Sequence, residues 1–509
     1  MTINPNSEFD WIKSYSSKSI EEQSRCYPQF FCEISFEVFR HLRNLTLEFI
    51  NPVTVISGTN KSGKTTALMA IACSHYNFQR RRITNGDLDR NTWGDVMRFT
   101  DHDVQDVDWT YHVKYRRGTA VTQKQGFRNH TSRKWSGVAK KQGQIGTPTS
   151  GNQAGRQVTL IDLERLQPAR HLPSSVFLKA KAAPLSDVDD RVSDYLSYIL
   201  EQNYDLKEIC SSADNVIYSF QNDNQYSSYN SASGEDVLTR LIRDIVDTPA
   251  KSLILIEEIE VGLHPKIQRR LMDVIRYESH QKQKQFIVTT HSQTILSSVC
   301  PESRLFIDSE RNKCIKSISS NAALSKMDSI AYPLINLLVE DRVSHWIVVQ
   351  AIQAVSERIK GFGHLINIVI VGNASKTYDS DVFLRDHYSD LRPKCGYACI
   401  LDGDQRASYG RRLVPEDHVF FLMGTHCPEY ELLSEYLHSN TSPALEYHLN
   451  SSNPHCLFQK MSELGICANE ESAMRLCWDK FLENEDGQRF FDGLCSFLIG
   501  SCRKFSSDL

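Results

Sequence analysis

Gly58-Thr59-Asn60-Lys61-Ser62-Gly63-Lys64-Thr65 fits the pattern G-x-x-x-x-G-K-[ST]. It follows the apolar run at 53–56 and precedes a helix-forming Thr66-Ala67-Leu68-Met69-Ala70-Ile71-Ala72. A strand, a glycine-rich loop and a helix in that order form a phosphate cradle. The glycines let backbone N–H groups wrap the phosphates, and the helix N-terminus adds its positive end. Lys64 reaches the β and γ phosphates, and Thr65 offers a hydroxyl to Mg²⁺. The expected nucleotide-binding residues are Gly58, Asn60, Lys61, Ser62, Gly63, Lys64, Thr65 and Thr66. The ordinary alternative, a chance glycine-rich turn, loses to the motifs that follow it in the chain.

Upstream, short apolar runs at 31–38 and 45–50 flank a polar turn and read as antiparallel strands leading into the loop. Downstream, Ser252-Leu253-Ile254-Leu255-Ile256-Glu257-Glu258 is an apolar strand ending in two acids. In this Walker B layout the first acid holds Mg²⁺ and the second orients the attacking water. Leu263-His264-Pro265 then opens a helix, and the strand 285–290 delivers His291-Ser292. Before Walker B, Ser233-Gly234-Glu235 opens another helix, while the segment 186–209 reads as helical, with Val188, Val192, Tyr195, Leu196 and Ile199 on one face.

Beyond Ser309 the pattern becomes strands alternating with helices, which implies a small parallel sheet. Ile335-Asn336-Leu337-Leu338-Val339 ends in Glu340, and Gly396-Tyr397-Ala398-Cys399-Ile400-Leu401 ends in Asp402-Gly403-Asp404. Carboxyl ends of neighbouring parallel strands lie side by side, so Glu340, Asp402 and Asp404 should converge as hard oxygen ligands for Mg²⁺ or Mn²⁺. An isolated acid at a strand end more often caps the next helix, and three together favour the metal. After a strand at 418–423, Cys427-Pro428-Glu429-Tyr430-Glu431 begins a helix, offering Glu429 as a further ligand and Glu431 as its competitor.

The chain has 509 residues, 58 basic and 62 acidic, with 40% hydrophobic residues. Those values are globular and exclude fibrous or wholly disordered classes. From 112 to 160 there is no acid but ten Lys or Arg, with Phe127 and Trp135 among them. This stretch reads either as a solvated loop or as an arm that contacts phosphates. Fourteen cysteines lack any C-x-x-C pair, and several (Cys73, Cys399, Cys467) lie in apolar segments, as buried thiols of a reducing compartment do. The nearest to a metal pair, Cys395 and Cys399, flanks a strand and argues against zinc. With no signal-like N-terminus and no apolar run of about eighteen residues, the expected location is cytoplasmic, away from membranes.

In their order, the P-loop, Ser-Gly-Glu, Glu-Glu, Leu-His-Pro and Thr-Thr-His-Ser resemble the head of ABC-type ATPases of chromosome maintenance and DNA repair. The resemblance implies head-to-head homodimers, or larger homo-oligomers, with ATP held between the P-loop of one subunit and Ser233-Gly234-Glu235 of the other. Glu257 and Thr65 would then hold Mg²⁺, Glu258 would act as base and His291 would sense the γ phosphate. The second half resembles a Toprim domain, and an ABC-type head followed by Toprim resembles the overcoming-lysogenization-defect (OLD) nucleases, including the Gabija-type defence nuclease. The expected fold is therefore α/β: residues 1–325 an ATPase head with an added β lobe, a basic insertion at 112–160 and a helical segment at 186–210, residues 326–440 Toprim, and residues 441–509 a helical tail. The resemblance implies an ATP-regulated, Mg²⁺-dependent DNA endonuclease in defence against phage, with Glu340, Asp402, Asp404 and Glu429 as metal ligands and a C-terminal lysine for which Lys504 is the positional candidate. Two departures stand out. Glu257 replaces an Asp, and Val339-Glu340-Asp341-Arg342-Val343-Ser344 replaces Val-Glu-Gly-x-x-Asp. Two alternatives stay open: a nucleic-acid-binding clamp whose Toprim no longer cuts, and an effector held silent by a partner such as a reverse transcriptase with its DNA or a helicase.

Overall fold

A computed structural model describes residues 3–81, 88–100, 102–103, 105–148, 155–163, 168–171, 174–181, 183–211, 215–221, 224–309, 311–328, 333–388, 396–409 and 418–504. The chain divides into two compact units, Met1–Met327 and Asp328–Leu509. Cys395 lies outside the described residues.

The first unit is built on an eight-stranded sheet in the spatial order Lys313–Lys316, Arg304–Asp308, Val53–Gly58, Gln285–Thr289, Leu253–Ile256, Val158–Ile161, Phe78–Arg81 and Leu88–Arg90. The inner strands pair in parallel and are buried along their whole length. That explains why they read as continuous Val/Ile/Leu runs rather than alternating ones. The helix Lys64–Cys73 carries apolar or small residues on nearly every side and is buried accordingly. A second, antiparallel sheet of Leu42–Glu48, Gln29–Phe39, Trp109–Arg117, Ala120–Arg128 and Trp135–Gly137 shares one hydrophobic core with that helix and the larger sheet.

Much of the acid-free stretch is sheet rather than loop: 112–117, 120–128, 135–137 and 158–160 are strands. Tyr111 and Val113 are buried in the core, and several of the cations that follow them are held by the fold. Arg116 is buried and donates to Tyr15 Oη (3.0 Å) and Gly118 O (2.7 Å). Lys114 pairs with Glu33 (2.9 Å), and Lys124 donates to Gly143 O (2.7 Å). Arg128 lies over the Phe99 ring at 3.9 Å, and Trp135 stacks on Trp93 at 4.6 Å. Arg156 donates to Gln29 O (2.9 Å) and Gln285 Oε1 (3.0 Å). Arg117, Arg133, Lys134, Lys140 and Lys141 remain exposed.

The helix expected over 186–209 is shorter. Asp190–Leu200 is helical and buries Val192, Tyr195, Leu196 and Ile199, then stops at Glu201 in the left-handed region (φ 58°). On either side, Leu185–Asp187 and Asp205–Ser211 are strands of a four-stranded antiparallel sheet completed by Asn215–Gln221 and Gln225–Ser227. What holds Asp205–Ser211 as a strand is its pairing along seven residues with Asn215–Gln221, a tertiary partner that the local pattern does not reveal. Cys73 and Cys399 are buried as expected, but Cys467 is only half-buried.

The second unit holds four parallel strands in the order Ile366–Ile370, Ile335–Val339, Gly396–Leu401 and Val419–Phe421. In chain order this is 2-1-3-4, so the winding reverses between Ile335–Val339 and Gly396–Leu401. A doubly wound sheet opens its ligand crevice at the carboxyl ends of such a pair. Helices Pro428–Ser439, Pro443–Ser451, Leu457–Glu463, Glu470–Phe481 and Glu485–Arg503 follow. The last packs Phe490 and Phe497 against Phe420 of the final strand (5.8 and 5.3 Å between rings). Among the described residues no helix is long and apolar enough to cross a membrane.

Candidate functional site

In the first unit the carboxyl ends of Val53–Gly58, Gln285–Thr289 and Leu253–Ile256 are adjacent. Gly58 has φ 152°, and a Cβ there would lie 2.7 Å from Ile307 O, so the loop passes too close to its neighbour for any side chain. Gly63 starts the helix with φ 97°. Lys64 Nζ donates to Gly58 O (2.9 Å) and Thr59 O (3.1 Å), lying across the loop. Burial pushes its ammonium down to about 8, while Glu258, Glu260 and Glu257 act to raise it. Thr65 Oγ1 donates to Glu257, joining the loop to Walker B. Burial holds the Glu257 carboxyl above its usual range, with Asp162 and Glu258 adding to the rise and Thr65 and Arg80 opposing it.

Glu258 sits in the left-handed region (φ 45°) and its N–H donates to Thr289 Oγ1 (2.9 Å). That turn sends the two neighbouring carboxylates to different tasks. Burial, followed by repulsion from Lys64, lowers the pKa of His291, with Glu260 and Glu258 opposing. Three supporting residues were not anticipated. Glu260 accepts from Thr290 Oγ1 (2.7 Å) and from the His291 N–H, fixing the histidine. Asp162, beyond the end of Val158–Ile161, pairs with Arg80 beside Glu257. Its apolar strand ending in an acid was a signal available in the sequence.

Ser233-Gly234-Glu235 opens the helix Ser233–Asp247, and Ser233 is exposed. Glu235 is not free to approach a ligand, because it accepts from Tyr204 Oη and Tyr226 Oη, each at 2.7 Å. Gly234 packs on the turn after Walker B. A Cβ there would lie 2.6 Å from Gly262 O.

Glu340, Asp402 and Glu429 are each nine-tenths or more buried in the second unit; Glu340 meets Asp402 directly, and Glu429 acts on Asp402 through its charge. The Asp402 N–H donates to Glu340 Oε1 (2.7 Å). Gly403 separates the two aspartates because the next strand's end passes over it, with Met423 O 2.2 Å from where a Cβ would sit. Asp404 is exposed and accepts from Gln405 Nε2 (3.0 Å). It acts on Glu340 through its charge. Burial pushes Glu340 up to about 7, opposed by the Asp402 N–H and reinforced by Asp404 and Asp341. Burial pushes Asp402 up to about 8, reinforced by Glu340 and Asp341.

Ser344, which stands where the resemblance expects an acid, is buried with Oγ 2.9 Å from both Asp341 Oδ1 and Asp402 Oδ1. One hydroxyl hydrogen cannot serve both oxygens, so the arrangement is fully bonded when Asp402 carries a proton. Asp341 Oδ1 caps the helix Arg342–Arg358 by accepting the Ser344 N–H (2.8 Å), so this oxygen is committed to the helix start. Glu431, the competitor of Glu429, accepts from the N–H groups of Thr425 (2.8 Å) and His426 (2.9 Å) and serves the turn. Lys504 is exposed at the end of Glu485–Arg503. The residue that sequence reading missed is His455, whose Nδ1 lies 2.8 Å from Glu429 Oε1.

Both sites fit the groups implied for them. Ser62 Oγ in the P-loop and Glu429 Oε2 in the crevice are buried without a hydrogen-bond partner, and each lies among groups suited to phosphate or cation. The family model described as "AAA domain, putative AbiEii toxin, Type IV TA system" matches residues 179–297, which hold Ser233 to Glu235, Glu257, Glu258 and His291. No curated protein matches the sequence. Similar solved structures include the SMC head domain from Thermotoga maritima (14% identity, 54% of this chain and 94% of that one, TM-score 0.34). Another is an Smc head with an extended coiled coil bound to the C-terminal domain of ScpA derived from Pyrococcus furiosus (9%, 56% and 95%, TM-score 0.35). A third is the recombination mediator RecF with ATPrS (13%, 57% and 98%, TM-score 0.34). The family match lies within the first unit, on the same residues that the motif order singles out and the loop geometry joins to the P-loop.

Proposed function

We propose that this chain is an ATP-hydrolysing, metal-dependent DNA endonuclease of the OLD kind, with residues 326–440 as its Toprim nuclease, 441–509 as a helical extension and the ATPase as a gate. The observation that carries this reading is the convergence of Glu340, Asp402 and Glu429, with Asp404 at the rim, at the reversal point of a parallel sheet. These acids would hold one or two Mg²⁺ or Mn²⁺, and a divalent ion so placed activates water and steadies a leaving phosphate oxygen. The chain's own groups supply the rest: the Asp402 N–H orients Glu340, and Ser344 positions Asp402. In the first unit Lys64, the P-loop amides and Thr65 would bind ATP with Mg²⁺, Glu258 would orient the attacking water, and Ser233 would complete the site of a second copy. A defence role is supported by the family description, which names a toxin of a type IV toxin–antitoxin system.

A second reading has its own observation. Ser344 and Asp341 replace the expected acid and glycine, and their mutual hydrogen bonds favour a protonated Asp402, which suits a clamp that binds DNA without cutting. Cleavage of supercoiled and linear DNA with Mg²⁺ or Mn²⁺, with and without ATP, separates the two. Cutting by the native chain that disappears in Asp402→Ala/Asp404→Ala is expected. Intact DNA under every condition transfers the proposal to the clamp, or to an effector awaiting a partner protein or nucleoprotein.

A further inference from the structure

Glu429 enters the crevice from the first turn of the helix Pro428–Ser439, with only 2% of its side chain exposed. One of its oxygens, Oε1, meets His455, and the other, Oε2, is buried without a partner. A carboxylate oxygen so placed is unfavourable unless something else occupies its lone pairs. Asp341 approaches from the start of Arg342–Arg358 with Oδ1 already committed to Ser344. His455 comes from the short turn Pro454–Cys456, well beyond the strands of the sheet. One ligand atom each from Asp341, Glu429 and His455 lie within 4.8 Å of one another. The 2.8 Å between His455 Nδ1 and Glu429 Oε1 is near the roughly 3 Å that separates adjacent ligands on an octahedral ion bound at about 2.1 Å.

We infer that Asp341, Glu429 and His455 form a cation subsite for a divalent transition ion of the Mn²⁺ class, with Glu429 as the residue it has in common with the acids around Glu340 and Asp402. The donor set decides the class. Two carboxylate oxygens suit Mg²⁺ and Mn²⁺ alike, but an imidazole nitrogen is a poor partner for Mg²⁺ and a good one for a first-row transition ion. The site is open on one side, since 60% of the His455 side chain is exposed and the ring also lines a cavity of about 800 Å³ with Arg342, Trp346 and Phe458. Ions can therefore enter from solvent, while Glu429 stays dry beneath them. This inference deepens the metal-dependent reading of the second unit without needing phosphodiester cleavage.

The test uses the full chain without nucleotide and Mn²⁺ alone as the probe, followed by titration and by electron-spin-echo spectroscopy. The native chain should bind Mn²⁺ with nitrogen modulation in the echo, the signature of a coordinated imidazole. His455→Gln, at an exposed position that folding tolerates, should lose the modulation and at least tenfold in Mn²⁺ affinity, with Mg²⁺ binding altered less than twofold. Asp341→Asn keeps a competent helix cap and should weaken Mn²⁺ binding while retaining the modulation. Mn²⁺ binding without nitrogen modulation, or with unchanged affinity in His455→Gln, overturns the subsite, as does an absence of Mn²⁺ binding by the native chain. DNA cleavage measured on the same samples keeps the two ideas apart. Modulation without cleavage sinks the nuclease reading alone, and cleavage without modulation sinks the subsite alone.

Discussion

The two units solve the same electrostatic problem in opposite ways. Each gathers carboxylates at the mouths of neighbouring parallel strands, Glu257 and Glu258 in the first and Glu340, Asp402 and Glu429 in the second. The first unit carries its own counter-charge, because Lys64 is drawn toward Glu258, Glu260 and Glu257, and Arg80 pairs with Asp162 beside them. In the second unit, among the described residues, His455 is the one basic side chain that pairs with a crevice acid. The acids there retain protons to about 7 and 8 instead. A site balanced by its own lysine is ready for an anionic ligand with its cation, whereas one balanced by protons is ready to exchange them for metal.

The largest effect that would test this contrast is at Glu258. Glu258→Gln should keep nucleotide binding and lower ATP turnover on the order of 10²–10³-fold, as loss of a general base does. Turnover at the native rate would remove that residue from the role. In the second unit the neutral variant should separate stability from activity. Asp402→Asn is expected to reduce DNA cleavage about 10²-fold or more while raising the unfolding temperature of that unit in chelator at pH 8, because a buried, unbalanced charge disappears. A fall in both would mean that Asp402 is balanced by something other than protons.

The pH dependence follows from the same imbalance. Folded Glu340 and Asp402 hold protons that the unfolded chain releases near pH 4, so the folded state binds more protons between about pH 4 and pH 8. In chelator the second unit should therefore lose a few kcal/mol of stability as pH rises from about 5 to about 8, and added Mn²⁺ should restore it most at the upper end. Denaturant midpoints that are flat across this range would place both carboxyls at ordinary values. The smallest effect is reserved for the basic stretch. Arg133→Glu with Lys134→Glu should change the salt slope of DNA binding by about 2 if both meet phosphates, and by nothing if the surface there is only solvated.

What could be read in the chain divides along the same line. The P-loop, Walker B and the His291 strand were legible because each function sits within a few residues of the strand that delivers it, and apolar runs ending in acids mark those strands. Glu340 and Asp402 were legible for that reason too. His455 was not, since it meets Glu429 from 26 positions away through a turn with no motif of its own. The cation run at 112–160 misled for a different reason. Charge counts do not say which face of a strand a side chain takes, and Arg116 and Arg128 turn inward among aromatic rings. The reading of 186–209 as one helix failed at its ends, where pairing with neighbouring strands decides the conformation and the local spacing of apolar residues does not.

The approach of Gly234 to Gly262 has a mechanical meaning. With 2.6 Å between a would-be Cβ and the Gly262 carbonyl, the first turn of Ser233–Asp247 and the bend after Glu258 touch backbone to backbone, with no compressible side chain between them. Any side chain at 234 would have to push back the bend that leads from Glu260, whose carboxylate holds the His291 N–H, so the smallest residue at the helix start keeps that histidine where it is.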